Sequence, residues 1–351
     1  MSRQAAVLFL FLVAVPSLAQ TLGTVKPAGK EPTLVIGGLL QVQAEFGDRG
    51  DSRFGSDNDR FYLRRARINF TGKFLEEFDF RVEGDFSGSL ANTSSLRAQL
   101  TDGFINWNRH PEANVRVGQF KTPFGFEQLF SDQRLITIER SLVNDRLTQG
   151  RQLGAQVGGD LLDKRLAYAA GMFNGNGANN NFNDDDSFLS AARLSGVLWR
   201  KGTNVWSVGG NAFSSDDTSV SATGFGFQSD TFAGERLGTG IDTQLTAGPF
   251  ELWAEYLAID WEPTSGSEIA SDGWYVQGSY FFIPDRLQAV LKAESFDPID
   301  TDPIGPTETG TAGVNVYFKG HDLKLLVNYL RVRQDGLEDQ DKLLTRLQVA
   351  F

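Results

Sequence analysis

The chain has 351 residues, with 33 basic against 44 acidic side chains and a formal net charge of −11, which argues against nucleic acid as a partner. Its 38 glycines, 28 phenylalanines and complete lack of cysteine exclude a disulfide-stapled secreted module and a lipid-attachment cysteine. This composition is also unusual for a soluble exported protein.

Met1–Ala19 carries one positive charge, Arg3, then an apolar run from Ala5 to Val15 and a Pro16-Ser17-Leu18-Ala19 ending. That is the layout of a secretory signal peptide. The run is too short for a membrane helix, which needs about 20 apolar residues. Residues 20–32 read as a short polar lead-in on the periplasmic side.

From residue 33 onward, sixteen runs alternate apolar and polar residues at the two-residue rhythm of strands. They cover about 33–46, 60–71, 77–86, 96–107, 113–120, 152–160, 165–173, 188–199, 203–213, 235–247, 249–260, 272–282, 286–296, 308–318, 322–333 and 342–351. Their connections alternate too. Short ones such as LDK, KG, AG and IPD interleave with long ones rich in Gly, Asp, Asn and Ser, such as NGNGANNNFNDDD and the stretch from 214 to 234. An outer-membrane barrel has this arrangement, with short periplasmic turns and long extracellular loops. The predicted fold is therefore an all-β, antiparallel transmembrane barrel of about 16 strands with both termini in the periplasm.

Within the runs one parity is apolar. Phe78, Phe80, Val82 and Phe86 alternate with Asp79, Arg81, Glu83 and Asp85, and Trp274, Val276, Tyr280 and Phe282 with Tyr275, Gln277 and Ser279. In a membrane barrel the apolar set faces lipid and the polar set a wet lumen. Trp107, Trp199, Trp261 and Tyr317 lie near run ends, where aromatic girdles would sit. The inward parity is rich in Gly, Ser, Thr, Asn and Gln, which points to an open lumen rather than a plugged adhesive barrel.

The longest connection, 118–151, mixes Phe with both signs of charge and carries Pro123 and Gly125, where a strand must stop. Some 30 residues without a strand are rare unless they serve a function. The expectation is a third long loop that folds inward and narrows the barrel. The final run, LLTRLQVAF, places Leu343, Thr345, Leu347 and Val349 on one face and ends on Phe351. This resembles the assembly signal of bacterial outer-membrane barrels, which makes the barrel-assembly machinery an expected partner.

FYLRRARINFTG (Phe61–Gly72), VRVGQFKTPFGFEQL (Val115–Leu129), ITIERSLVNDR (Ile136–Arg146) and GRQLGAQVGG (Gly150–Gly159) together resemble the phosphate-selective porin O/P family. The resemblance implies a 16-stranded porin, usually a homotrimer, with a constricting third loop. It also implies passage of small anions such as phosphate or polyphosphate.

Parity turns Arg65, Arg67, Arg81, Arg97 and Arg116 inward as a basic wall. The loop adds Lys121, Arg134 and Arg140 against Glu127, Asp132 and Glu139. Guanidinium groups are permanently charged and grip phosphate or carboxylate in a fork, so this set is the candidate anion-binding, pore-lining site. The alternative is that the arginines only neutralise Asp79, Glu83 and Asp85, leaving a general porin without anion preference. Arg193, Asp242, Glu255, Lys292, Glu294 and Arg346 are further inward candidates of mixed sign.

No catalytic constellation is present. The two histidines, His110 and His321, fall in short periplasmic turns, and neither HExxH nor Gly-x-Ser-x-Gly occurs. No metal or cofactor is expected. The acidic tracts GDRGDSRFGSDND and NDDD match no EF-hand spacing and read as solvated loops, the alternative being that they hold a divalent cation or bridge lipopolysaccharide. Outer-membrane lipid and lipopolysaccharide are expected partners of the barrel.

Overall fold

The computed structural model describes residues 32–54, 59–87, 96–225, 230–300 and 305–351. The expected signal segment Met1–Ala19 and all of the lead-in except Pro32 lie outside the described residues. Sixteen strands follow in chain order: β1 (Thr33–Gly47), β2 (Arg60–Phe74), β3 (Phe78–Asp85), β4 (Gln99–His110), β5 (Ala113–Lys121), β6 (Arg151–Leu161), β7 (Leu166–Phe173) and β8 (Leu189–Lys201) form the first half. The second half comprises β9 (Asn204–Ser221), β10 (Thr231–Ala247), β11 (Phe250–Pro263), β12 (Ile269–Ile283), β13 (Leu287–Asp297), β14 (Thr307–Lys319), β15 (Leu323–Arg333) and β16 (Gln340–Ala350). Each strand pairs antiparallel with its sequence neighbours and β1 pairs with β16, so the sheet closes without a free edge. Two short helices, α1 (Phe126–Leu129) and α2 (Leu142–Leu147), lie in the β5–β6 connection.

The observed strands follow the sequence-derived runs within a few residues, with one large difference. β9 continues to Ser221, so much of the stretch read as a loop from 214 is strand. Its Ser- and Asp-rich composition reads as loop, but Asp217 points inward and is held across the sheet by Arg236 Nε at 2.6 Å. The remaining connection to β10 is 222–230.

Parity holds on most of the outer face. Trp274, Val276 and Tyr280 are exposed while Tyr275, Gln277 and Ser279 are buried. On β16, Leu343, Leu347 and Val349 face out, whereas Leu344, Arg346 and Gln348 are buried inside. The barrel seam is extended by Phe351, whose N–H donates to Gly38 O at 3.2 Å. A Cβ at residue 38 would lie 2.5 Å from the Phe351 ring, so glycine there makes room for the terminal aromatic. Trp261 and Tyr317 depart from the girdle expectation. Both are buried, Trp261 Nε1 bonding Ser271 Oγ at 3.0 Å and Tyr317 Oη bonding Gln288 Oε1 at 2.6 Å.

The inner face is not polar throughout. Phe173, Leu189, Phe213, Leu257, Ile259 and Trp261 of the wall pack with Phe124, Leu142, Val143 and Leu147 of the β5–β6 connection. This apolar cluster fills the extracellular part of the barrel on one side, contrary to a uniformly wet lumen.

Candidate functional site

The connection between β5 and β6, residues 122–150, enters the barrel. Its first bend needs Gly125, at φ 81°, where a Cβ would sit 2.4 Å from Thr148 Cγ2. Gly125 N donates to Asn211 Oδ1 at 3.2 Å, Glu127 N to Glu255 Oε2 at 3.2 Å, and Phe126 N to Glu255 Oε1. The Phe126 and Phe130 rings then pack on Trp253, with centroids 5.5 and 4.5 Å away.

Beyond α1 the chain has no regular structure, yet its backbone is served by inward side chains. Gln348 Nε2 donates to Gln133 O at 3.0 Å, Lys324 Nζ to Leu135 O at 2.7 Å, and Asn315 Nδ2 to Ile136 O at 2.8 Å. Ile138 N donates to Asn328 Oδ1 at 2.7 Å and Leu142 N to Glu294 Oε2 at 2.7 Å. Irregular backbone at membrane depth is tolerated only where such partners or water satisfy it. The polar inner rows of β13 to β16 therefore bind the loop rather than line a wide pore. Ser141 caps α2, accepting from Asn144 N at 3.1 Å, and returns the chain toward β6.

Charge fixes the loop on its other side. Asp132 meets Arg140 at 2.7 Å, Arg65 at 3.1 Å and Arg67 at 2.5 Å. Glu139 meets Arg64 at 2.9 Å and Arg346 at 2.5 Å. Burial alone would raise both carboxyl groups, but the surrounding guanidinium groups outweigh it and hold both below the usual carboxylate range. Arg64 reaches the interior because of a bulge: Gln41 faces Arg65 and Val42 faces Leu63, leaving Arg64 as the extra residue.

The loop leaves an off-centre space of about 650 Å³ between itself and the wall from β1 to β8, with Phe351 beside β1. Arg67, Arg81, Arg116, Lys121, Arg151 and Arg193 line it, with Glu83, Asp102 and Asp132 as its acids. Asp102 is shared by Arg151 at 2.7 Å and Arg81 at 3.4 Å, and Arg193 pairs with Asp242 at 2.6 Å. Arg116 has no carboxylate in contact among the described residues. Its Nε donates to Asn106 Oδ1 at 2.8 Å, and its guanidinium lies 4.4 Å over Phe104 and 5.3 Å from the Phe120 centroid. Lys121 likewise lacks an ion pair there and donates from Nζ to Phe130 O at 2.9 Å.

A barrel whose lumen is narrowed by its third long connection is the architecture of a diffusion porin. The family model for phosphate-selective porin O and P matches residues 38–351. The chain belongs to that family. Porin O of Pseudomonas aeruginosa is 24% identical to this porin over 400 residues, spanning 92% of this chain and 89% of that protein. The anion-selective porin from Comamonas acidovorans superposes with a TM-score of 0.64 at 12% identity, over 92% of this chain and 100% of that one. The outer membrane channel DcaP of Acinetobacter baumannii gives 0.64 at 14% identity, over 93% and 99%. The protein is thus an outer-membrane porin, and its family and fold point to a channel.

Of the residues singled out in the sequence, Arg67, Arg81, Arg116 and Arg193 by parity and Lys121 and Asp132 in the loop line this porin's cavity. Arg65 and Arg140 are close by but turned onto Asp132, between loop and wall. Arg97 precedes β4 and is exposed, outside the strand ladder that would have aimed it inward. Arg134 is exposed near the loop tip and does not line the cavity. Glu127 is buried within the loop, its Oε2 accepting from Ser141 N at 2.8 Å, so it faces no lumen. Glu139 is engaged on the wall side. Sequence parity missed Arg64, whose inward turn depends on a bulge, Asp102, which lies beside the irregularity in the β3–β4 register, and Arg151, the first residue of β6. Of the acids expected as the alternative partners of the arginines, Asp85 pairs with Arg67 at 2.7 Å and Glu83 with Arg81, whereas Asp79 accepts from Asn106 and Asn108.

Proposed function

We propose that this porin passes small anions through the off-centre channel. The observation that carries the reading is the balance of charge on the lining: six bases, Arg67, Arg81, Arg116, Lys121, Arg151 and Arg193, against three acids, Glu83, Asp102 and Asp132. Two of the bases, Arg116 and Lys121, form no ion pair among the described residues. Acidic residues predominate over the whole chain, but charges in open solvent are screened over about 8 to 10 Å at physiological salt. Charges at a narrow constriction are screened far less, so the lining decides the sign of the permeant ion.

The family's description as phosphate-selective and the Comamonas porin's as anion-selective support anions as the solute class, phosphate among them. The pairing of Arg81 and Arg151 with Asp102, and of Arg67 with Asp132, favours the alternative of a general porin. Reversal potentials in a potassium chloride gradient separate the two. Wild type should favour chloride, and the double change Arg116→Glu with Lys121→Glu should shift selectivity toward potassium. A wild type that already favours potassium overturns the anion reading.

We further infer a homotrimer in lipopolysaccharide-bearing membrane. The lipid-facing side of β1, β2 and β16 carries Leu34, Ile36, Leu40, Ile68, Phe70 and Leu347, all exposed. One structural neighbour, OmpT of Vibrio cholerae, is described in a trimer form, with a TM-score of 0.63. The exposed Phe351 at the end of β16 supports recognition by the barrel-assembly machinery.

A further inference from the structure

The channel lining is basic on part of its circumference and apolar on another part. On β1, residues 35, 37 and 39 share the inward parity of Gln41 and Gln43, which puts Val35 and Leu39 in the lumen; Val35 is 63% exposed there. The loop contributes Leu129, also exposed, and Pro123. Leu129 directly precedes Phe130, whose carbonyl holds the Lys121 ammonium at 2.9 Å. Lys121, in no ion pair among the described residues, therefore lines the cavity together with an exposed apolar side chain. Arg116, likewise in no ion pair among the described residues, rests on the rings of Phe104 and Phe120, which line the same cavity.

A site that strips water from phosphate must offer many N–H donors to its oxygens, since burying a charged group without partners is costly. Here four of the six lining bases already hold carboxylates, and the other two, in no ion pair among the described residues, line the cavity together with hydrocarbon. A carboxylate asks for fewer donors, and an apolar body attached to it gains from leaving water.

We propose that this channel has a binding subsite for small organic carboxylates with an apolar body. Arg116 and Lys121 hold the carboxylate, and Leu129 with Leu39 and Val35 receives the hydrocarbon. The proposal rests on the anion-channel reading and deepens it by naming the solute class.

The test is block of single-channel chloride current through the full-length porin by benzoate, acetate, phosphate or cyclohexylammonium added to one side. Benzoate should reach half-block at about a tenth of the acetate concentration, the gain expected from partly burying its ring, and below the phosphate concentration too. Cyclohexylammonium, an apolar body with the opposite charge, should not block. Leu129→Ser should bring benzoate to the level of acetate, and Arg116→Gln should weaken block by both carboxylates. Benzoate no better than acetate, phosphate the best blocker, cyclohexylammonium as effective as benzoate, or an unchanged benzoate block in Leu129→Ser would each overturn the subsite. Reversal potentials from the same traces distinguish the failures. With chloride still preferred, only the subsite falls; with potassium preferred, the anion reading falls with it.

Discussion

Gln133 Nε2 donates to Asp322 Oδ1 at 3.1 Å, joining the tip of a loop that enters from the extracellular end to a turn at the periplasmic end. The connection between β5 and β6 therefore runs the depth of the barrel instead of folding across its mouth. Everything that narrows the lumen hangs on this one segment. Its contacts with the wall are side chain to backbone on β13 to β16, ion pairs on β2 and β16, and apolar packing with backbone N–H caps on β7 to β11, whereas the strands pair with one another around the closed sheet, so the wall can stand without it.

Deleting 124–141 should accordingly leave a folded barrel of higher conductance. The inward Gln348, Lys324, Asn315 and Arg346 would lose loop partners but gain water, which satisfies them equally well. Single-channel conductance of the refolded deletion variant is the measurement. An unchanged value in a folded barrel would mean the loop is not the constriction.

Asp132 is the point where three guanidinium groups converge, at 2.7, 3.1 and 2.5 Å. Removing one partner from a buried ionic cluster leaves uncompensated charge and costs about 3 to 5 kcal/mol. Asp132→Ala should therefore loosen the loop, seen as added current noise and faster proteolysis within it. It should also strengthen anion preference, because one of three lining acids disappears. Quiet current with unaltered selectivity would show that the arginines, not the aspartate, hold the loop.

Strand positions were legible because lipid imposes a two-residue rhythm on every strand, as Trp274, Val276 and Tyr280 illustrate. Loop entry was legible from Pro123, Gly125 and sheer length. The interior was harder to read, since an inward Asn or Gln looks the same whether it meets water or a loop backbone; Asn315 and Asn328 meet the backbone. Inward phenylalanines such as Phe213 keep the parity of their strands yet reverse its polarity, because α2 and its flanks supply an apolar partner that no local pattern announces. Arg64 escaped because one extra residue in a strand shifts every later side chain, and the bulge leaves no sequence mark of its own.

Topology makes a separate prediction. Residues 222–230 connect β9 to β10 at the end opposite the chain termini, while 162–165 form a turn at the terminal end. An epitope inserted within 222–230 should be stained on intact cells, and one within 162–165 only after permeabilisation. The reverse pattern would invert the barrel.

Acidification should weaken loop docking in two stages. His321, in the turn that Gln133 touches, is lowered from 6.5 to about 4, first by burial and then by Lys324 and Arg134. Asp132 and Glu139 lie below their ordinary values despite burial, because the arginines around them dominate. In all three the docked value is below the free one, so the docked state binds fewer protons and its stability falls as pH falls. For His321 the loss occupies the window from 6.5 down to about 4. For the two carboxyl groups it begins near their ordinary values of 3.8 and 4.5 and continues below them. Gating noise should thus be low at pH 8, rise gently between pH 6.5 and 4, and rise steeply under more acid conditions. His321→Gln should abolish the gentle rise alone, and Asp132→Asn with Glu139→Gln should abolish the steep one while raising noise at every pH. A gentle rise that survives in His321→Gln would assign it to another group and remove the histidine from loop docking.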